Sequence, residues 1–216
     1  MSRQFVVIGL GRFGTSVARA LTQLGEDVLG IDVDEDKVQS LSDELLHVVV
    51  ADATDPAVLD TLGLRNFDVA VVSMGRRLQD SILITHSLKE AGIARVVARA
   101  VDDMHGRVLR KVGADRVFYP ERDMGIRAAH SLVGSDIIDY IEFGSDYSIM
   151  EIAAPARFVG RSLAELGIRA KYGITVLALK RGADVLTSPA AADIIAEDAV
   201  LVVMGRNADL RKLTGY

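Results

Sequence analysis

The stretch Val6-Val7-Ile8-Gly9-Leu10-Gly11-Arg12-Phe13-Gly14 decides the fold of this chain, because it sets three glycines in the pattern GxGxxG between an apolar run and an amphipathic one. In such a turn Gly9 permits a tight bend, Gly11 lets the backbone touch a phosphate, and Gly14 lets the next helix lie against the strand. That helix directs its first N–H groups toward an anion. The turn therefore predicts that an adenine nucleotide binds near residue 11.

Short apolar runs alternate with helical patterns through the first part of the chain, and the runs are too continuous for strands with one wet face. We expect strands at 5–8, 28–31, 46–50, 69–72, 96–98 and 117–118, and helices at 13–24, 35–41, 56–62, 78–91, 104–112 and 120–133. Asp34 and Asp55 are interpreted as N-caps of the helices that follow them. Repeated βαβ units of this kind predict an α/β fold with a doubly wound parallel sheet.

The character of the chain changes after residue 134. A polar stretch marked by Gly, Ser and Asp, residues 135–146, is expected to be a linker. Beyond it we expect strands at 148–153, 175–179 and 199–204, short helices at 162–166 and 208–213, and a turn at 181–182. Residues 1–134 are thus interpreted as a nucleotide-binding domain, and residues 147–216 as a small C-terminal α/β domain without a second GxGxxG.

Composition excludes several classes of protein. Half of the 216 residues are hydrophobic, which suffices for a packed core, and the absence of Cys excludes disulfides and Cys-based sites. The net charge of −5 argues against a nucleic-acid partner. The first predicted strand begins close to the N-terminus and all apolar runs are strand-sized, so we expect no signal peptide and no membrane span, but a soluble, cytoplasmic protein.

Acidic residues follow the second and third predicted strands. Asp32 stands eighteen residues past the last glycine of the turn, where it would accept hydrogen bonds from both ribose hydroxyls. No Arg stands beside it to hold a 2′-phosphate, so NADP is not favoured. Asp52, Ala53 and Thr54 would line the same ligand crevice, with Asp52 or the backbone of Ala53 at the adenine edge.

Two charged residues do not fit a simple dinucleotide site. Arg12 faces the phosphates, and a guanidinium there suits the terminal phosphate of ADP or ATP better than the pyrophosphate of NAD. The alternative is an Arg12 that faces solvent. Glu121 follows Pro120 at a helix N-terminus, and taken alone it is best interpreted as an acid favoured by the helix dipole. A carboxylate facing a polyphosphate would need Mg²⁺ or Ca²⁺ between them.

The sequence shows no constellation typical of catalysis. A nicotinamide dehydrogenase needs a proton donor or acceptor beside the hydride. None of the histidines is paired in sequence with an orienting acid: His47, His86, His105 and His130. HExxH, GxSxG and P-loop lysine motifs are absent as well. We interpret the chain as a nucleotide sensor and not an enzyme. An NAD-dependent oxidoreductase is the alternative, ahead of an NADH-responsive repressor that binds DNA.

Four segments give the chain a resemblance to a known family: Gly9-Leu10-Gly11-Arg12-Phe13-Gly14, Gly113-Ala114-Asp115-Arg116, Pro120-Glu121-Arg122-Asp123-Met124-Gly125 and Ile168-Arg169-Ala170-Lys171-Tyr172-Gly173. With these segments the chain resembles the RCK (TrkA-N/TrkA-C) proteins that regulate potassium transport, over nearly its whole length. The glycine motif alone is shared by many families. Its combination of Arg12 with Pro-Glu-Arg-Asp-Met-Gly is more specific.

The resemblance implies a regulatory function. The N-terminal domain would bind ATP or ADP, with NAD(H) as a weaker ligand, through Gly9, Gly11, Arg12, Phe13, Gly14, Asp32, Asp52, Ala53, Thr54 and Glu121. Arg12 would approach the terminal phosphate of ATP across a dimer interface, and Glu121 would help hold a divalent metal ion there. ATP would favour the conducting state of a channel and ADP the closed state.

The resemblance also implies an assembly. Dimers would form an octameric gating ring on the cytosolic face of a KtrB-like potassium channel subunit in the membrane. The C-terminal domain would bind cyclic di-AMP at its dimer interface through Ile168, Arg169 and Ala170, which would inhibit the channel.

Overall fold

The structure, a computed structural model, describes residues 2–75, 77–133 and 136–214. The chain forms two compact units that divide between Glu121 and Arg122. Within the described residues no helix is both long and apolar enough to cross a membrane. The domain boundaries expected from the sequence, 1–134 and 147–216, stay a prediction.

The first unit contains a six-stranded parallel sheet in the order β3-β2-β1-β4-β5-β6. Its strands are β1 (Gln4–Ile8), β2 (Asp27–Asp32), β3 (His47–Val50), β4 (Val69–Val72), β5 (Arg95–Arg99) and β6 (Arg116–Phe118). The helices are α1 (Arg12–Gln23), α2 (Glu35–Leu41), α3 (Pro56–Thr61), α4 (Leu78–Glu90) and α5 (Asp103–Lys111), and α6 (Pro120–Val133) follows β6. The predicted doubly wound parallel sheet is confirmed.

Both faces of this sheet are covered. Along β1, Val6 and Ile8 pack into one hydrophobic cluster while Phe5 and Val7 pack into another. Successive side chains of a strand point to opposite faces, so the two clusters lie on opposite sides of the sheet. This burial on both sides is the physical reason for the continuous apolar runs in the sequence.

The second unit is a five-stranded antiparallel sheet in the order β10-β9-β11-β8-β7. Its strands are β7 (Ile137–Glu142), β8 (Tyr147–Ala153), β9 (Thr175–Arg181), β10 (Asp184–Thr187) and β11 (Val200–Arg206). Its helices are α7 (Leu163–Leu166), α8 (Ile168–Tyr172) and α9 (Asn207–Thr214). One hydrophobic cluster joins these helices to β7, β8, β9 and β11, with Met150, Ile152, Leu201, Val203 and Leu210 among its fully buried members. The residues of β10 are exposed.

The stretch expected to be a linker, 135–146, contains a strand instead. Residues 137–142 form β7, which pairs antiparallel with β8 at the edge of the sheet. Ile137 and Tyr140 are its buried residues, three positions apart, because the register shifts between Ile137 and Asp139. Such an irregularity breaks the alternation by which a strand is recognised in sequence. Residues 134 and 135 lie outside the described part of the chain.

Candidate functional site

The glycine turn lies at the carboxyl end of β1, where the strand order reverses between β1 and β4. Gly9 has a φ of +93°, a conformation that favours glycine, and its N–H donates to the carbonyl of Ile31 at 2.8 Å. A Cβ on Gly14 would lie 1.9 Å from the carbonyl oxygen of Gly9. The turn and α1 therefore approach as closely as they do because both positions are glycine.

The start of α1 is open to an anion. Gly11 is the N-cap, no side chain of the described residues caps the helix, and no acidic residue lies in its first turn. A Cβ placed on Gly11 would meet nothing within 4 Å. The first N–H groups of a helix carry partial positive charge and need acceptors from outside it. Open space and unused donors at one point are what a phosphate group requires.

Asp32 lies beside this turn, as its spacing predicts. Its carboxylate is buried, and Oδ2 accepts the N–H of Leu10 at 2.7 Å while Oδ1 accepts the N–H of Asp34 at 3.0 Å. The ammonium of Lys37 stands 3.3 Å from both oxygens. A carboxylate has about four lone-pair positions, so two ribose hydroxyls can be accepted when the half-exposed Lys37 side chain turns away. The sequence does not predict a role for Lys37 at this site.

Lys37 also stands 3.3 Å from Asp34, the N-cap of α2. Burial lowers the pKa of the Lys37 ammonium, but its pairs with Asp32 and Asp34 raise it more, so the net shift is upward. Lys37 is therefore charged, and it can pass from Asp32 to Asp34 without losing an anionic partner.

A shallow crevice opens at the same edge of the sheet. Gly9, Asp32, Asp52 and Ala53 line it, together with Arg77, which sequence reasoning missed. The hydroxyl and the N–H of Thr54 donate to Oδ1 of Asp52 at 2.7 and 2.9 Å. These bonds, the hydroxyl's first, lower the pKa of Asp52, so its carboxylate stays ionised. Thr54 thus orients Asp52 and does not itself line the crevice.

Arg12 and Phe13 begin α1 and point to different surroundings. Arg12 is exposed, and within the described residues its guanidinium makes no ion pair. Phe13 is half-buried, with its ring centroid 6.5 Å from that of Phe118 at the end of β6. Arg12 is thus accessible to a ligand or a second molecule, whereas Phe13 can offer a ligand little more than its backbone.

Glu121 is exposed near the start of α6, where its carboxylate pairs with the guanidinium of Arg99 at the end of β5. The described residues contain no group of three or more His, Cys, Asp or Glu side chains that could hold a metal ion. The chain alone therefore offers Glu121 as a single carboxylate, already engaged by a cationic side chain. A divalent ion there would need most of its ligands from elsewhere.

Two buried polar atoms at this edge have no hydrogen-bond partner among the described residues: Ser73 Oγ and Arg99 Nε. Both residues follow buried strand positions, Ser73 after β4 and Arg99 at the end of β5. The sequence could have suggested them, because polar residues at the carboxyl ends of parallel strands border the ligand crevice.

The three residues expected to bind a second ligand in the C-terminal unit differ in side-chain exposure. Ile168 is buried in the hydrophobic cluster of that unit, while Arg169 and Ala170 are exposed in α8. Gly167, in the left-handed region with φ +56°, separates α7 from α8. Only Arg169 and Ala170 can meet a ligand with their side chains.

His105 is a packing residue. It is buried, its Nε2 lies 2.8 Å from the hydroxyl of Ser81 on α4, and its backbone N–H donates to Oδ1 of Asp102 at 2.7 Å. Burial lowers the pKa of His105, an effect that Asp102 partly opposes. The imidazole is therefore neutral near pH 7 and joins α5 to α4.

Comparison with known proteins gives matches along nearly the whole chain. The family model of the TrkA-N domain matches residues 5–120, and that of the TrkA-C domain matches residues 147–216. Ktr system potassium uptake protein C of Bacillus subtilis is 45% identical over 98% of this chain and 96% of its own length. Ktr system potassium uptake protein A of the same organism is 42% identical over 98% and 95%.

A solved structure shares the fold. The GsuK channel bound to NAD superposes with a TM-score of 0.69 over 100% of this chain and 40% of that chain, at 20% sequence identity. An identity this low supports a common fold and no more.

Proposed function

We propose, given that the chain belongs to the family of Ktr potassium uptake proteins built from a TrkA-N and a TrkA-C domain, that it is a KtrA-like RCK subunit that senses a nucleotide and regulates a potassium channel. The relatives that establish this family are potassium uptake proteins and not dehydrogenases. The observation that carries the proposal is the uncapped start of α1, with open space at Gly11 beside the buried carboxylate of Asp32.

The proposed adenine nucleotide binds in a definite direction. A ribose on Asp32 places the adenine in the crevice at Asp52 and Ala53, and the phosphates at the first N–H groups of α1. A chain of further phosphates then extends past β1 toward β4 and β5. ATP and ADP are the proposed ligands, with NAD(H) as a weaker one.

Discrimination between ATP and ADP must come from groups that reach the last phosphate, because a ligand shifts a conformational equilibrium only by binding its states unequally. Arg12 is accessible and supplies such a group to the nucleotide of a second molecule in a dimer. Glu121, together with phosphate oxygens, would hold Mg²⁺ or Ca²⁺. On this proposal ATP favours the conducting state of the channel and ADP the closed state.

The surface of the first unit and of α6 supports self-association. Large apolar side chains are exposed on three helices, with Leu83 on α4 46% exposed, Met104 on α5 62% and Met124 on α6 56%. None of the fourteen residues of α6 is buried. Contiguous exposed apolar patches mark interaction sites in soluble proteins, and in the proposed dimer these side chains would have to become part of such a patch. Exposed apolar side chains are compatible with dimers that assemble into an octameric ring. In this proposal the ring docks at the cytoplasmic face of a KtrB-like channel subunit.

Cyclic di-AMP at the C-terminal unit is proposed as a second, inhibitory ligand. Support from this chain is limited to the exposed Arg169, whose guanidinium suits a phosphodiester, and the adjacent Ala170. Ile168 would contribute through its backbone, because its side chain is buried.

Isothermal titration of nucleotide-free protein with ATP, ADP and NADH, each with and without Mg²⁺ or Ca²⁺, tests the proposed function. The expected result is tighter binding of ATP and ADP than of NADH, with a cation effect confined to ATP. Tight NADH binding with no response to ATP or ADP would overturn the proposal and favour an NAD-dependent oxidoreductase.

A further inference from the structure

The carboxyl ends of β4 and β5 carry polar atoms that the chain itself does not satisfy. Ser73 is 5% exposed and its hydroxyl has no partner among the described residues. The Nε of Arg99 is buried and likewise unpaired there, although the whole side chain is 18% exposed. Buried polar atoms are normally hydrogen-bonded, and each exception calls for an explanation. These two lie on the β4–β5 side of the glycine turn, opposite Asp32 in the strand order.

The backbone is shaped to bring Arg99 toward the turn. A Cβ on Gly75 would lie 2.2 Å from Nη1 of Arg99, so the guanidinium rests on a glycine that leaves room for it. Two residues earlier, the hydroxyl of Ser73 lies 3.0 Å from where a Cβ of Gly14 would be, directly under the start of α1. Only β4 separates β1 from β5, so the ends of the two strands are about 10 Å apart.

The charges around the Arg99 guanidinium also favour the binding of an anion. Arg99 is the inner member of its pair and Glu121, with 63% of its side chain exposed, is the outer one. The guanidinium has five N–H donors, and Nη2 is the nitrogen that Glu121 engages. A nicotinamide riboside on this side of the turn would bring no negative charge to it, whereas a terminal phosphate would.

We propose that Arg99 binds the terminal phosphate of a nucleoside triphosphate whose ribose lies on Asp32 of the same chain, and that this phosphate replaces Glu121 as the partner of the guanidinium. This inference rests on the proposed function and adds to it a residue and an exchange. Arg99 acts within the chain that holds the nucleotide, whereas Arg12 is proposed to act on the nucleotide of a second molecule. Arg99 therefore selects a polyphosphate over a dinucleotide.

Isothermal titration of the full-length Arg99→Gln variant with ATP and AMP, in EDTA, tests the assignment. AMP keeps the ribose and the first phosphate but lacks the terminal one. The affinity for ATP should fall at least about tenfold, the value of a charge-assisted hydrogen bond, while the affinity for AMP changes less than about twofold, since the ribose and first phosphate keep their contacts. The matched control is Arg95→Gln, which removes the same charge from the exposed opposite end of β5 and should leave both affinities unchanged.

The exchange itself is tested with Glu121→Gln. Removing the competing carboxylate should raise the cation-free affinity for ATP about two- to fivefold, and this gain should vanish in the Arg99→Gln background. A gain that persists without Arg99 would mean general electrostatic repulsion and would overturn the exchange. Arg99→Lys, which keeps the charge without the planar fork, should retain part of the ATP affinity and serves if Arg99→Gln does not fold.

The outcomes separate the inference from the proposed function. Wild-type protein that binds none of the nucleotides contradicts the proposed function. Wild-type protein that binds ATP while Arg99→Gln binds it equally well contradicts the inference alone. An equal loss of ATP and AMP in Arg99→Gln assigns the arginine to the structure of the crevice and also overturns the inference.

Discussion

Replacing Gly11 by Ala should weaken nucleotide binding and leave the fold intact, whereas replacing Gly14 by Ala should damage the fold. Gly11 has φ −74° and ψ −174°, which Ala adopts readily, and its added Cβ would meet nothing within 4 Å. Because Ala is a poorer N-cap than Gly, the substitution lowers the free energy of unfolding by about 0.5 kcal/mol. The unfolded chain with Ala has less conformational entropy, which raises the free energy of unfolding by about 0.4–1 kcal/mol. The free energy of unfolding should thus change by less than about 1 kcal/mol.

At Gly14 the same methyl group would lie 1.9 Å from the carbonyl oxygen of Gly9 and 3.0 Å from Ser73 Oγ. Backbone must shift to admit it, and forcing extra volume into packed structure costs about 1–3 kcal/mol or more. Gly11→Ala would have no such effect, yet the added methyl group would occupy the space that a phosphate needs at the start of α1. The affinity for ADP should therefore fall at least about tenfold, which corresponds to about 1.4 kcal/mol.

Denaturation by urea and titration calorimetry with ADP, performed on both variants, check this pair of predictions. The expected pattern is wild-type stability with weak binding for Gly11→Ala, and reduced stability for Gly14→Ala. Wild-type affinity for ADP in Gly11→Ala would refute the phosphate site at α1. Equal destabilisation in the two variants would show that the binding loss arises from unfolding.

Further predictions concern charged side chains. Arg12→Ala should bind ADP nearly normally and lose the additional response to ATP in calorimetry; equal loss of both nucleotides would contradict a contact with the terminal phosphate. Glu121→Gln should abolish the effect of Mg²⁺ or Ca²⁺ on ATP binding, and an unchanged cation dependence would exclude Glu121 as a metal ligand. Burial lowers the pKa of His105, so the unfolded chain binds a proton that the folded chain does not as the pH falls below about 6.5. The free energy of unfolding should therefore fall on acidification below that pH. Urea denaturation between pH 7 and 5 should show a smaller fall for His105→Gln than for the wild-type protein; equal falls would assign the acid sensitivity to other groups.

Elements could be predicted from the sequence where a local signal and the tertiary structure agree. β4 has the predicted bounds, Val69–Val72, because all four residues are buried and form one apolar run. Helix α2 has the predicted bounds because the side chain of Asp34 accepts the N–H groups of Asp36 and Lys37, as an N-cap should. β10, residues 184–187, was missed because every residue in it is exposed and no hydrophobic pattern marks it.

Within the candidate site, the glycine turn and Asp32 could be predicted because both lie at fixed spacings in a single βαβ unit. The position of Arg99 at the carboxyl end of β5 could have suggested that it borders the crevice, but the contacts of Arg77 and Arg99 could not be predicted, because both residues lie outside that βαβ unit. Their roles depend on side-chain direction: Arg99 turns across Gly75 to Glu121, and the sequence carries no local sign of that contact.

The pairing of Arg99 with Glu121 has an energetic consequence for a sensor. An ion pair with one exposed member contributes about 0–1 kcal/mol, so exchanging the carboxylate for a phosphate costs little, while the guanidinium keeps an anionic partner in the meantime. Separating a fully buried ion pair would cost several kcal/mol, and a buried arginine without an anionic partner would destabilise the ligand-free protein. A ligand whose last phosphate stops short of Arg99 leaves the pair intact and cannot shift an equilibrium through it. One more phosphate breaks the pair and frees Glu121, so part of the response to the number of phosphates resides in a contact that exists before any nucleotide binds, beside the part proposed for Arg12.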